Sequence, residues 1–262
     1  MANIGTWRSI TQVGTYEPFE LQVARGQING HSIVTVSGYN SDVDTAWEMI
    51  TPVGDLSYPA AALQMTVSSS STSDTSAGTG ARTVLINGLD ANYNVISESV
   101  TLNGQTVVTT TNSFLRINSM LVTTAGTGLA NAGIIYIGSG TVTSGVPATI
   151  YNVIAVGYNN TTSSQYTIPA GYTGYLAIAR IGLAQDTGTS LITARTRFVG
   201  TNGIAITGPL IVTNNSISTQ PFPYPIVIAE KTRIQGEAIG SAANNEAAGF
   251  FELVLIKNFI TS

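Results

Sequence analysis

Nowhere does the chain sustain helical periodicity over about 11 residues, the shortest window in which an amphipathic helix declares itself. What recurs is a short β-branched or aromatic run closed by glycine, asparagine or proline. Such runs fall at 32–36 (ending at Gly38), 64–67, 83–86, 95–102, 105–111, 114–124 and 133–137. Eight more follow at 149–156, 164–168, 173–184, 190–199, 204–213, 225–229, 231–239 and 249–258. Within 95–102, Ile96, Glu98, Val100 and Leu102 alternate with Ser97, Ser99 and Thr101, the period of a half-buried strand, although Glu98 does not match its apolar neighbours. Asn103-Gly104 predicts a two-residue hairpin turn, because a type I′ turn needs positive φ at both central positions. Residues 18–25 predict two short helical turns, with Pro18 at the start and Gly26 as the stop. The tract 68–80 is almost wholly Ser, Thr, Gly, Asp and Ala and reads as a solvent-exposed loop.

The expected fold is therefore all-β. An N-terminal arm occupies 1–60, a small middle β unit 61–142, and a C-terminal antiparallel β-sandwich of jelly-roll type 143–262. The Gly/Thr/Ser/Pro stretch at 138–148 marks the second boundary, and no fixed-period repeat is present.

Composition narrows the function. The 262 residues include 10 Lys and Arg and 14 Asp and Glu, against 36 Thr and 24 Ser. Average domains are about a quarter charged, so hydroxyls and amides rather than ions keep this surface wet. A net charge of −4 and a pI of about 4.9 give no footprint for a nucleic-acid backbone. No apolar run approaches the roughly 18 residues of a membrane helix, and Met1 to Trp7 lacks the basic start and apolar core of a signal peptide. Without cysteine there is neither a disulfide nor a thiolate metal site.

Enzyme chemistry finds little to work with. His31 is the only histidine, and no Gly-x-Ser-x-Gly elbow accompanies it, so a structural histidine is expected and no cofactor or metal is assigned. Asp90, Asn92 and Asn94 alternate like calcium ligands, but Val95 and Thr101 stand where an EF-hand needs Gly and Glu. An Asx-stabilised turn is the better reading, and Asp42 and Asp44 are read as loop residues in the same way. Asp90, Glu98, Glu230, Glu237 and Glu252 supply a carboxylate pair only if the fold brings two together. Residues 78–82 precede a strand and not a helix, so a phosphate loop lacks its helix N-terminus.

Several segments combine into a familiar pattern. They include Phe19 to Ile28 followed by Gly30-His31, then Gly38-Tyr39-Asn40-Ser41-Asp42-Val43-Asp44-Thr45, then Gly78 to Val84. Gly88 to Asn94, Val100 to Gly104, Tyr166 to Thr173 and Glu230-Lys231-Thr232 complete it. Across most of 17–257 the chain resembles a family of virion structural proteins of tailed phages from marine and freshwater viromes, departing from it at Trp47-Glu48-Met49-Ile50. The resemblance implies a non-enzymatic protein on the virion, assembled in the host cytoplasm and attached to the capsid as a decoration or cement protein or head fibre. Its partners would be other virion proteins, the major capsid protein above all, and its own copies, with a trimer favoured. Trp7, Phe19 and Trp47 are the expected attachment aromatics of the arm. Alternating Pro221, Pro223 and Pro225 remove backbone donors, so their run suits an edge strand. Phe222 and Tyr224 beside them need an apolar partner, supplied by a neighbouring subunit or by the chain's own sandwich, the former in keeping with a mean hydropathy of +0.23. The alternative is a tail-fibre or receptor-binding protein that reads host glycans with Tyr158, Asn159, Asn160 and Tyr172.

Overall fold

A computed structural model describes residues 17–185, 191–213 and 216–258. One short helix, α1 (Phe19–Ala24), precedes the strands β1 (His31–Val43), β2 (Glu48–Met49), β3 (Leu63–Ser69), β4 (Ala81–Leu89), β5 (Val95–Thr101), β6 (Val108–Phe114), β7 (Arg116–Ala125) and β8 (Ile135–Thr143). There follow β9 (Val146–Ile154), β10 (Gln165–Thr167), β11 (Tyr172–Gln185), β12 (Ile192–Val199), β13 (Ala205–Thr213), β14 (Ile217–Ile228), β15 (Arg233–Gly240) and β16 (Asn245–Lys257). The fold is all-β, as the punctuated β-branched runs imply.

The strands form four antiparallel sheets with orders β1-β16-β11-β14, β10-β15-β12-β13 (β2 pairing with β15), β6-β3-β8-β9 and β5-β4-β7. The last two enclose one core, in which Met65, Ile86, Phe114, Met120, Ile137 and Ile154 are buried. The first two enclose another, built around Ile168, Leu176, Ile234, Phe251 and Leu253 and, toward one end, Val43, Ile50, Ile181 and Ile192. β3 to β9 thus form an inserted unit between β2 and β10 of an outer unit made of eight main strands and the two-residue β2.

That organisation corrects the expected arm. β1 runs beside β16 from His31 opposite Ile256 to Val43 opposite Asn245, so residues 31–43 belong to the outer unit. Gly38 does not end the strand. A Cβ there would overlap the Ile50 carbonyl and Ser164, so the glycine marks a close backbone approach. The boundary expected at 142/143 falls inside the β8–β9 hairpin, which pairs Ile135 with Ile154 and Thr143 with Val146.

Two local readings also change. Gly104 does adopt φ 61°, yet β5 pairs with β4 and β6 with β3, so the turn passes the chain between sheets and makes no hairpin. Between them, Glu98 accepts the N–H groups of Thr111 (2.7 Å) and Asn112 (2.8 Å), where β6 slips register against β3. The acid on an apolar face thus satisfies backbone donors that the bulge leaves out of the ladder. The tract 68–80 is not simply an exposed loop, since Ser68, Ser69 and Asp74 are fully buried. The Asp74 carboxylate accepts from the N–H groups of Ala81 (2.7 Å), Ala132 (2.8 Å) and Gly133 (2.9 Å) and from the Ser69 hydroxyl (2.6 Å). One carboxylate gathers three backbone donors, one at the start of β4 and two in the loop before β8.

Candidate functional site

Two surfaces of the outer unit stand out, one at each long edge of its sheets. At the β1 and β10 edge lies the inserted unit. The two units are bolted by Asn118 of β7, whose amide donates to the Thr167 carbonyl and accepts its N–H, both at 2.9 Å. Beside that bolt runs a cleft of about 510 Å³ between Thr35 and Ser37 of β1, Asn87 of β4, Ser119 and Leu121 of β7, and Asn160 and Tyr166. Among the described residues no charged side chain lines it. Burial pushes the Tyr166 phenol up to about 12, with the Asn118 hydrogen bond opposing.

The opposite edge is made by β13 and β14, each the last strand of its sheet. Ile204, Ile206, Leu210, Val212, Ile217 and Val227 are all more than half exposed there, and Tyr224 is 92% exposed. In β13 the even-numbered apolar residues point outward while Ile211 packs on the core. Pro221, Pro223 and Pro225 lie in β14, so the edge reading of that run holds. Lacking N–H groups at alternate positions, β14 is a poor template for an added strand, and this edge offers side chains instead of a ladder.

The expected site residues divide between these surfaces and the interior. Trp7 lies outside the described residues. Phe19 sits in α1, edge-on to His31 with ring centroids 6.0 Å apart, and the His31 Nδ1 lies 3.0 Å from the Asn29 carbonyl. Trp47 is half-buried after β1. The Arg195 guanidinium stacks 3.8 Å above its ring, held by buried Glu237, which pairs with Arg195 at 2.6 Å and Arg197 at 3.1 Å. Phe222 is half-buried against its own core, the second of the two covers expected for it. Tyr224 alone of that pair is left to solvent.

The four glycan candidates do not converge. Asn159 spends its amide on Asn131 (3.0 Å) and the Leu129 carbonyl (3.0 Å), closing a loop. Tyr158 is in electrostatic reach of Tyr39, which faces Ala248, whereas Tyr172 faces Lys257. Nine residues of β16 separate those positions, roughly 30 Å at the rise of a strand. Asn160 alone lines the cleft.

The carboxylates are likewise dispersed. Asp90 accepts the N–H groups of Asn92 (2.7 Å) and Asn94 (2.9 Å) and the Asn94 amide (3.1 Å), the Asx turn expected of that spacing. Glu98 and Glu237 are occupied as described, and Glu230 accepts the Gly171 N–H at 2.5 Å. Asp42, at the register shift inside β1, and Asp44, just after the strand, are exposed, their N–H groups bonded to Asn40 and Glu48. Among the described residues, no group of three or more His, Asp or Glu is placed to hold a metal.

Sequence reasoning missed the β13 face. Its signal was present as apolar residues at 204, 206, 210 and 212, but the same alternation describes a strand facing its own core.

No protein-family model matches the sequence, and no curated protein matches it. Among solved structures, the VP2 subviral particle of infectious bursal disease virus aligns over 87% of this chain and 73% of its own, at 11% identity and a TM-score of 0.24. T=1 particles derived from that virus align over 89% and 75%, at 13% identity and a TM-score of 0.20. At such TM-scores the likeness carries no argument about fold or function.

Proposed function

We propose that the outer unit is a jelly roll and that the chain is a non-enzymatic virion structural protein of a tailed phage. It sits on the capsid as a decoration or cement protein or head fibre, and its own copies meet through the β13 and β14 edge, most simply as a trimer. Numbered along the chain, the eight outer strands take the orders 1-8-3-6 and 2-7-4-5 in two facing sheets. That is the winding of a jelly roll, an architecture used by viral capsid and lectin domains. The observation that carries the reading is the apolar edge itself. Six large apolar or aromatic side chains stand exposed along two strands that carry no charge, with Ile204 just ahead of β13 a seventh, more than a lone soluble chain ordinarily leaves uncovered. The resemblance across 17–257 supplies the phage setting, and the neighbour on the particle would be the major capsid protein.

Light scattering on the purified protein tests the oligomer, and a mass of one 27.3 kDa chain at micromolar concentration ends it. Immunogold labelling of the particle tests the location, with label on the head expected. Label on the tail would favour a receptor-binding protein. The neutral cleft with Asn87, Asn160 and Tyr166 speaks for that second reading, since amides and an aromatic face suit a sugar. A glycan array without a binder removes it.

A further inference from the structure

The chain has ten basic residues, and three of them, Arg116, Lys231 and Arg233, line one hollow of about 150 Å³ beside the β12–β13 turn. Gly200, Thr201, Gly203 and Tyr93 complete its wall. The cations come from different parts of the fold. Arg116 opens β7 of the inserted unit, while Lys231 and Arg233 flank the start of β15 in the outer unit. Among the described residues the ion pairs are Glu17 with Arg25 and Glu237 with Arg195 and Arg197, so none of the three has a carboxylate partner.

What they have instead is aromatic. Arg233 lies 3.4 Å over the Tyr58 ring, Arg116 5.8 Å from both Tyr58 and Tyr93, and Lys231 6.0 Å from Tyr93. Ring faces offset part of a cation's desolvation but contribute no formal charge, so three positive charges remain. Burial draws Arg233 below the usual guanidinium range, and the neighbouring Arg116 and Arg197 charges add to it, against the opposing Tyr58 and Glu237. The groups are also held in place. Arg116 donates to the carbonyls of Pro59 (2.9 Å) and Leu115 (2.7 Å), and the Lys231 N–H bonds the Ile168 carbonyl at 2.8 Å.

We propose that this hollow binds one small oxyanion, a carboxylate- or phosphate-type group, between Arg116, Lys231 and Arg233. Its volume of about 150 Å³ leaves room for one such group between the three cations. Preorganised cations without a directly paired carboxylate, Arg233 Nε donating only to the neutral Gln235 amide oxygen at 2.9 Å, are the arrangement that charge-assisted hydrogen bonds to an oxyanion exploit. The site adjoins one end of the β13 edge, since Gly203 in its wall precedes Ile204, but it does not rest on the virion reading.

Calorimetric titration of the full chain with sodium phosphate, and separately with sodium glucuronate, tests it against sodium chloride at matched ionic strength. One ion bound per chain is expected, with a rise in Tm beyond that in chloride. Lys231→Gln, a partly exposed position outside both cores, should weaken binding roughly tenfold with an unchanged circular dichroism spectrum. Arg233→Gln should do the same and gives a second reading of the same pocket. Binding of phosphate alone assigns a phosphate-type ligand, and of glucuronate alone the carboxylate of an acidic sugar. Binding of both assigns a general oxyanion site. If neither anion exceeds chloride, or if Lys231→Gln binds as well as the parent, the proposal is overturned and the cations serve only to stack on the tyrosines.

Discussion

The outer unit has two long edges, and the chain finishes them in opposite ways. At β1 and β10 the inserted unit closes the edge with directed polar bonds. Asn118 meets Thr167, the Thr161 hydroxyl accepts the Met120 N–H at 2.5 Å, and the Tyr93 carbonyl accepts the Ala170 N–H at 2.9 Å. At β13 and β14 the chain supplies apolar side chains, prolines and no cover among the described residues. Polar closure within a chain fixes one geometry. An uncovered apolar edge with few free donors calls for contact with another surface, through side chains rather than strand addition.

The largest expected effect breaks the second edge. Ile206→Glu with Val227→Glu should reduce the scattering mass to that of one 27.3 kDa chain. Because both side chains face solvent, the fold itself should lose no more than about 0.5 kcal/mol. A variant that stays associated would move the interface elsewhere.

Inside the inserted unit, Asp74→Ala strands three backbone N–H groups and a hydroxyl in a buried site. A loss of about 3 kcal/mol or more is expected by urea unfolding, with hydrogen exchange rising first across residues 65–154. An equal rise in both units would show that they unfold as one.

Asn118→Ala cuts the bolt between the units. About 2 kcal/mol should be lost, with faster exchange of the Thr167 amide and little change at β13 and β14.

The smallest effect concerns Asp90, at the turn beside the junction. Slight burial raises its carboxyl, and the hydrogen bonds from Asn94 and Asn92 more than reverse this, so its pKa lies below the usual carboxylate range. Its stabilisation is therefore complete above the unfolded value of about 3.9 and fades as pH falls through the lower folded value. Asp90→Ala should lower the urea midpoint slightly at pH near 7 and converge with the parent in acid.

Much of the strand content was legible because each run carries its own period and its own punctuation. The Asx turn at Asp90 and the edge character of Pro221 to Pro225 were legible for the same reason, since both depend on residues next to one another. The role of Glu98 was not, because its partners Thr111 and Asn112 belong to a bulge that exists only once β6 has paired with β3. Asp74 looked like one more polar loop residue because its donors at 132 and 133 are nearly sixty positions away. The separation of Tyr158 from Tyr172 was hidden likewise, because it is set by how far apart their neighbours sit along β16.

By itself the sequence determined that this chain is β-structured, where most of its strands run and where its local turns form, because dihedral preference and side-chain alternation are properties of neighbours. Only the tertiary structure decided that residues 31–43 close a sheet with 245–257, that 63–154 is an insertion, and which face of β13 meets water. Those outcomes depend on pairing between distant segments, and alternation alone reads the same whether an apolar face covers its own core or waits for another surface.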